Sequence, residues 1–233
     1  MKVDIWSDVY CPWCYLGKRR LEQALANFEH RDQVEVVWHS FQLDPDAPKK
    51  SSSTQNELLA RKMGRNLKEV EAMQARLTAL AAEEGLTYHL DTAIPGNSFD
   101  AHRLVHLAAT YGLQDAMKER LMKAYFTDSL AVSDEDVLVQ LGVEVGLDAA
   151  EVHDMLSSSA FAKDVNSDIR LAMEIGIHGV PFFVFNDKYA VSGAQQTEVF
   201  TTALERTWQE FYKPLEVIAA TDSRNCDDGS CAI

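Results

Sequence analysis

Strand-like segments are confined to the two ends of this chain, and everything between them repeats with helical periodicity. A sheet built from such a sequence must join segments far apart along the chain, with helices packed over it. At the amino end, Lys2 to Trp6 is short and β-like, with Val3 and Ile5 alternating against Lys2 and Asp4. Leu21, Leu25 and Phe28 then recur at helical spacing, and Val34 to Trp38 is apolar and β-branched enough for a buried strand. This β-α-β order predicts two parallel strands joined by a crossover helix. At the other end, Phe182 to Phe185, the turn-prone Asn186-Asp187 and Tyr189 to Val191 read as a hairpin. A helix with Phe200, Leu204, Trp208 and Phe211 on one stripe follows it. The predicted organisation is an α/β domain split into residues 1–44 and 177–213, an inserted all-helical domain over 45–176, and a polar tail over 214–233.

Cap and stop signals divide the helical block. Leu67, Val70, Met73, Leu77 and Leu80 fit one helix ended by Gly85, and Ser98 can cap another that carries Leu104, Val105 and Leu107 before Gly112. Ser133 with Asp136 resembles a capping box. Further helices are expected at Leu113 to Phe126, Asp148 to Leu156 and Ala160 to Ile175, while Ser51-Ser52-Ser53 beside Lys49-Lys50 reads as a plain surface loop.

With 36 acidic against 22 basic residues, the net charge of −14 opposes non-specific attraction to nucleic acid or anionic lipid. The polar amino terminus holds no secretory signal and no stretch approaches the ~20 apolar residues of a membrane span, so a cytoplasmic location is expected. The four cysteines form two close pairs, Cys11 with Cys14 and Cys226 with Cys231. In a reducing compartment such pairs are catalytic or metal-binding more often than structural.

Position sharpens the first pair. Cys11 falls where a strand has ended and a helix begins, so unpaired N–H groups and the positive end of the helix dipole favour a thiolate there. Cysteines in such positions have pKa values lowered to roughly 3.5–7.5. Pro12 suits the first helical turn, where its missing N–H costs nothing. Cys14, one turn further, is placed to attack a mixed disulfide on Cys11, which requires Cys11 to be the more exposed of the two. Lys18, Arg19 and Arg20 read as a solvated helix face, and His39, His102, His106 and His178 as satisfied structural groups.

A strand, Cys11-Pro12-Trp13-Cys14, an amphipathic helix, and Val180-Pro181 ahead of a buried strand together resemble the DsbA-like branch of the thioredoxin superfamily, from Lys2 to about Tyr212. The resemblance implies a thioredoxin-like fold with a helical insertion, a cis bond at Pro181 facing the active-site cysteines, and a Val180 backbone that aligns substrate peptide. Pro12 and Trp13 would lie at the substrate-binding surface, with Trp13 as an apolar contact for unfolded peptide. Lacking an ionisable side chain, Trp13 also points to a milder oxidant than DsbA.

The tail pair, Cys226-Asp227-Asp228-Gly229-Ser230-Cys231, narrows the likeness to the cytoplasmic FrnE-type disulfide oxidoreductases and isomerases. The runs Asn97 to Leu104 and Ser192-Gly193-Ala194-Gln195 also resemble that group. The expected activity is exchange on protein or peptide thiols, with no cofactor, no metal, and no nucleic-acid or membrane partner. Glutathione or a thioredoxin-type reductant is the expected recycling partner, and electrons would pass between the tail pair and Cys11/Cys14. Three alternatives stand beside it: a glutathione-dependent isomerase or kappa-type transferase, a zinc clip on the tail or a four-thiolate zinc site, and a zinc-holding redox-labile binding protein.

Overall fold

The computed structural model describes residues 1–212 and shows a mixed α/β fold, mostly helical, around one four-stranded sheet. The strand order is β2-β1-β3-β4. β1 (Lys2–Ser7) pairs in parallel with β2 (Glu35–Ser40), Val3 opposite Val36 and Ile5 opposite Trp38. On its other edge β1 pairs antiparallel with β3 (Phe182–Phe185), which continues into β4 (Tyr189–Ser192). The hairpin turns at Asn186 and Asp187, both with positive φ, the conformation these residue types tolerate best.

The alternation in β1 predicts one polar face; instead every residue from Val3 to Ser7 is buried. Val3 and Ile5 face a core shared with Phe183, Phe185, Phe200 and Leu204. This is the side covered by α1 (Pro12–Ala26) and α9 (Thr197–Phe211). Trp6 faces the opposite way, against Ala172 and Ile177. Asp4 is buried there because partners meet it: His39 Nε2 at 2.6 Å and Lys2 Nζ at 2.7 Å.

Between β2 and β3 the chain is helical: α2 (Gln55–Met63), α3 (Leu67–Glu83), α4 (Phe99–Ala109), α5 (Gln114–Phe126), α6 (Glu135–Val145), α7 (Ala149–Ser157) and α8 (Ala162–Glu174). The sequence reading missed α2. Its signal is a capping box: Thr54 Oγ1 accepts from the Glu57 N–H at 3.3 Å, and Glu57 Oε2 accepts from the Thr54 N–H at 2.9 Å. Two expected caps are also displaced. Asp134, not Ser133, caps α6, leaving the Ser133 hydroxyl to donate to the Lys49 carbonyl at 2.7 Å. The Ser98 side chain makes no cap; the neighbouring Asn97 Oδ1 accepts from the Phe99 N–H at 2.9 Å.

A polar clamp fastens α8 and α4 to β2. His39 lies between two carboxylates, its Nδ1 2.8 Å from Asp168 Oδ1 and its Nε2 on Asp4. Asp168 Oδ2 accepts from the Ser40 N–H at 2.8 Å and lies 3.0 Å from His106 Nε2. Burial opposes the His39 imidazolium, yet the hydrogen bonds and charges of Asp168 and Asp4 outweigh it and raise its pKa from 6.5 to about 9. A raised folded pKa means that the stabilisation is complete below 6.5 and is lost as pH climbs through about 9. The stability difference between wild type and His39→Asn, from denaturant titrations, is therefore expected to be largest below 6.5 and to close toward pH 9. A pH-independent difference would show that His39 is neutral in the clamp.

Candidate active site

Cys11 is the N-cap residue of α1, with extended φ and ψ and Pro12 in the first turn. Its N–H donates to the Asp8 carbonyl at 3.2 Å, and its own carbonyl accepts from the Cys14 N–H at 3.0 Å. The Cys11 thiol therefore stands at the positive end of the helix, 3.7 Å from the Val180 carbonyl. The Val180-Pro181 peptide bond is cis. Gly17 permits this approach, since a Cβ at that position would stand 3.1 Å from both Pro181 and Phe183.

Both cysteines are free and buried, Cys11 3% exposed and Cys14 0%. The expected order of exposure holds, and Cys11 lines a cleft of about 1220 Å³. Trp13, 45% exposed, stands at this cleft beside Val180, and Leu58, Met73 and Leu77 supply much of its apolar wall. That volume exceeds the roughly 300–1,000 Å³ of small-molecule sites. Beneath it, burial pushes the Cys14 thiol well above its ordinary pKa, reinforced by the hydrogen bond and charge of Cys11. Cys14 is thus held as a protonated thiol.

Cys11, Pro12, Trp13, Cys14, Val180 and Pro181 therefore meet at one place, whereas Cys226 and Cys231 lie outside the described residues. The family model described as a DSBA-like thioredoxin domain matches residues 2–205. The chain belongs to the DSBA-like thioredoxin domain family. A probable DsbA oxidoreductase from Streptomyces coelicolor is 44% identical, with a TM-score of 0.87 over 100% of this chain and 99% of that one. Two more distant structures share the fold. A 2-hydroxychromene-2-carboxylate isomerase is 18% identical, with a TM-score of 0.69 over 90% of this chain and 97% of its own. The cytosolic disulfide reductase DsbM from Pseudomonas aeruginosa, solved with GSH, is 17% identical, with a TM-score of 0.63 over 90% and 100%. DsbA-like proteins are thiol-disulfide oxidoreductases, the chemistry that a helix-capping cysteine above a sealed second thiol can perform.

Several supporting residues of this DsbA-like site escaped the sequence reading. The Tyr88 hydroxyl donates to the Pro12 carbonyl at 2.7 Å, bracing the first turn of α1. Asp8, 2% exposed, accepts from the Leu43 N–H at 2.8 Å and the Tyr10 N–H at 3.2 Å, pinning the loop that leads into Cys11. Lys18 and Arg20 are 2% and 3% exposed, not a solvated face. Lys18 pairs with Glu22, with Glu119 at 3.0 Å and with Asp115 at 3.4 Å, and Arg20 with Glu84 at 2.6 Å. They buttress α1 instead of electrifying Cys11. The histidines expected to be structural are so at three positions, with His102 on the Phe41 carbonyl at 3.0 Å and His39 and His106 in the clamp; His178 is exposed.

Proposed function

We propose that this chain is a cytoplasmic disulfide reductase or isomerase of the FrnE type, acting on protein and peptide thiols. The observation that carries the reading is the stacking of the two sulfurs: Cys11 opens onto a large apolar cleft and Cys14 is sealed directly behind it. Cys11 attacks the substrate disulfide, Cys14 then attacks the mixed disulfide, and the substrate leaves as a thiol. Val180, Pro181, Pro12 and Trp13 form the rim on which the peptide lies. Against the isomerase-like alternative stands the complete Cys11/Cys14 pair, since a glutathione-adding enzyme has no use for a resolving thiol. A glutathione-poised cytosol favours reduction or isomerisation over net oxidation, with glutathione or a thioredoxin-type protein returning the electrons.

Chain length supports a relay from Cys226/Cys231. Trp208 stacks on His30 and Tyr212, so α9 ends beside the carboxy-terminal end of α1, opposite Cys11. The 15 residues of α1 span about 22 Å. From Tyr212 to Cys226 the chain can stretch roughly 46–50 Å, enough to return along α1 with slack.

Cys14→Ala is expected to capture protein clients from lysate as stable mixed disulfides on Cys11, and mass mapping after mild oxidation of the wild type to find Cys11 joined to a tail cysteine. Capture of glutathione alone, with no insulin reduction, would replace this reading with the glutathione-dependent one. Absence of any Cys11-to-tail link would remove the relay but leave the exchange chemistry.

A further inference from the structure

The helices α2 and α3 wall one part of the cleft that Cys11 lines, and their contribution is basic in an acidic chain. Arg61, Lys62, Arg65 and Arg76 all line it. Lys62 is already engaged, donating to the Leu43 carbonyl at 3.2 Å and standing 3.7 Å from Asp44. The three arginines are exposed and make no ion pair among the described residues, and Arg61 donates to the Ser53 hydroxyl at 2.7 Å. Glu69, the acid of α3 at the cleft, is held in that helix's cap, where it accepts from the Asn66 N–H at 3.1 Å. With 36 acidic residues in the chain, an exposed arginine readily finds a carboxylate. Three without one leave this wall positive, although the net charge of the molecule is −14. The same two helices supply the apolar Leu58, Met73 and Leu77 to the cleft.

We propose that this wall selects acidic polypeptide: Arg61, Arg65 and Arg76 pair with carboxylates of an extended segment whose disulfide lies at Cys11. The inference rests on the thiol-exchange reading and names the substrate class of that same site. The arginines determine specificity and take no part in the exchange itself. Spacing favours a polypeptide over a tripeptide such as glutathione. From Leu67 to Arg76 α3 rises about 14 Å, and Arg65 lies beyond its start. Three extended residues span at most about 10–11 Å, so the cations are laid out for a longer chain.

Elsewhere the negative surface repels an acidic segment, so these cations concentrate such substrates at the cleft and hold basic ones away. Each contact is a solvent-exposed ion pair, which changes affinity by about 1.4- to fivefold. Discrimination therefore requires several pairs acting together. It is also screened by salt, since the Debye length is about 10 Å at 0.1 M ionic strength.

The test uses full-length reduced protein carrying Cys226→Ser and Cys231→Ser. Three peptides of one length each contain a single disulfide and carry aspartates, serines or lysines along one side of it. Their reduction is followed at single turnover, and the binding of dye-labelled versions with serine in place of cysteine is followed by anisotropy. At low ionic strength the aspartate peptide is expected to bind and react about tenfold better than the serine peptide, and the lysine peptide worse, with the differences closing near 0.5 M salt. Arg65→Gln with Arg76→Gln should cut the acidic preference about threefold or more. Lys123→Gln with Lys163→Gln removes the same charge from exposed residues outside the cleft and should leave the preference unchanged. Equal rates for the three peptides, or an equal loss in the arginine and lysine variants, overturn the proposal. A preference that appears only after Asp227→Asn and Asp228→Asn would give the wall to the chain's own tail and overturn its role toward substrates. Arginine-dependent binding without reduction of any peptide would instead sink the exchange reading and leave the acidic site standing.

Discussion

Cys11→Ser is expected to abolish disulfide turnover, lowering kcat/KM by at least about 10³-fold. A serine hydroxyl keeps the geometry of the α1 cap but is not ionised near neutral pH and does not form a mixed disulfide. Cys14 cannot take over, because it is 0% exposed and burial holds it as a thiol. Insulin reduction measured with a thiol reductant in excess reads the loss, and circular dichroism confirms that the fold is kept. A variant that retained more than about a tenth of wild-type turnover would mean that Cys11 is not the nucleophile. The zinc-holding binding-protein alternative would then be the better account of the same cysteines.

Removal of one carboxylate should have the largest structural effect. Asp168→Ala is expected to cost about 3 kcal/mol, near the lower bound for breaking a buried pair because the side chain retains 13% exposure. The substitution strands the His39 imidazolium with Asp4 alone and leaves the Ser40 N–H without its acceptor. It also releases α8 from β2, since Asp168 is the residue through which that helix grips the strand. Urea unfolding should show a lower midpoint with an unchanged slope, the mark of lost stability without a change in compactness. A loss below about 1 kcal/mol would show that water already carries the clamp.

Elements and chemistry were unequally legible. The β-α-β opening, the parallel pairing of β1 with β2, the hairpin and the stripe of α9 all follow from periodicity within a few residues, and the structure contains each of them. The capping box before α2 was equally local and was overlooked because the serine run ahead of it reads as loop. The burial of Asp4 on β1 is not legible in the sequence for a different reason. A carboxylate is exposed unless partners meet it, and its partner His39 arrives on another strand, itself held by Asp168 from 129 residues further along the chain.

The same division holds at the reactive sulfur. Sequence alone placed Cys11 at the head of a helix, Cys14 one turn behind it and Val180-Pro181 at a strand entrance, because helix starts and proline punctuation are written in adjacent residues. Tertiary structure alone decided that Tyr88 and Asp8 brace the start of α1, that Lys18 and Arg20 are buried ties, and that Cys11 lines the cleft. Local signals register which conformation a segment prefers. Whether a charge is desolvated depends on which distant atoms replace its water, and those are known only once the chain has closed on itself.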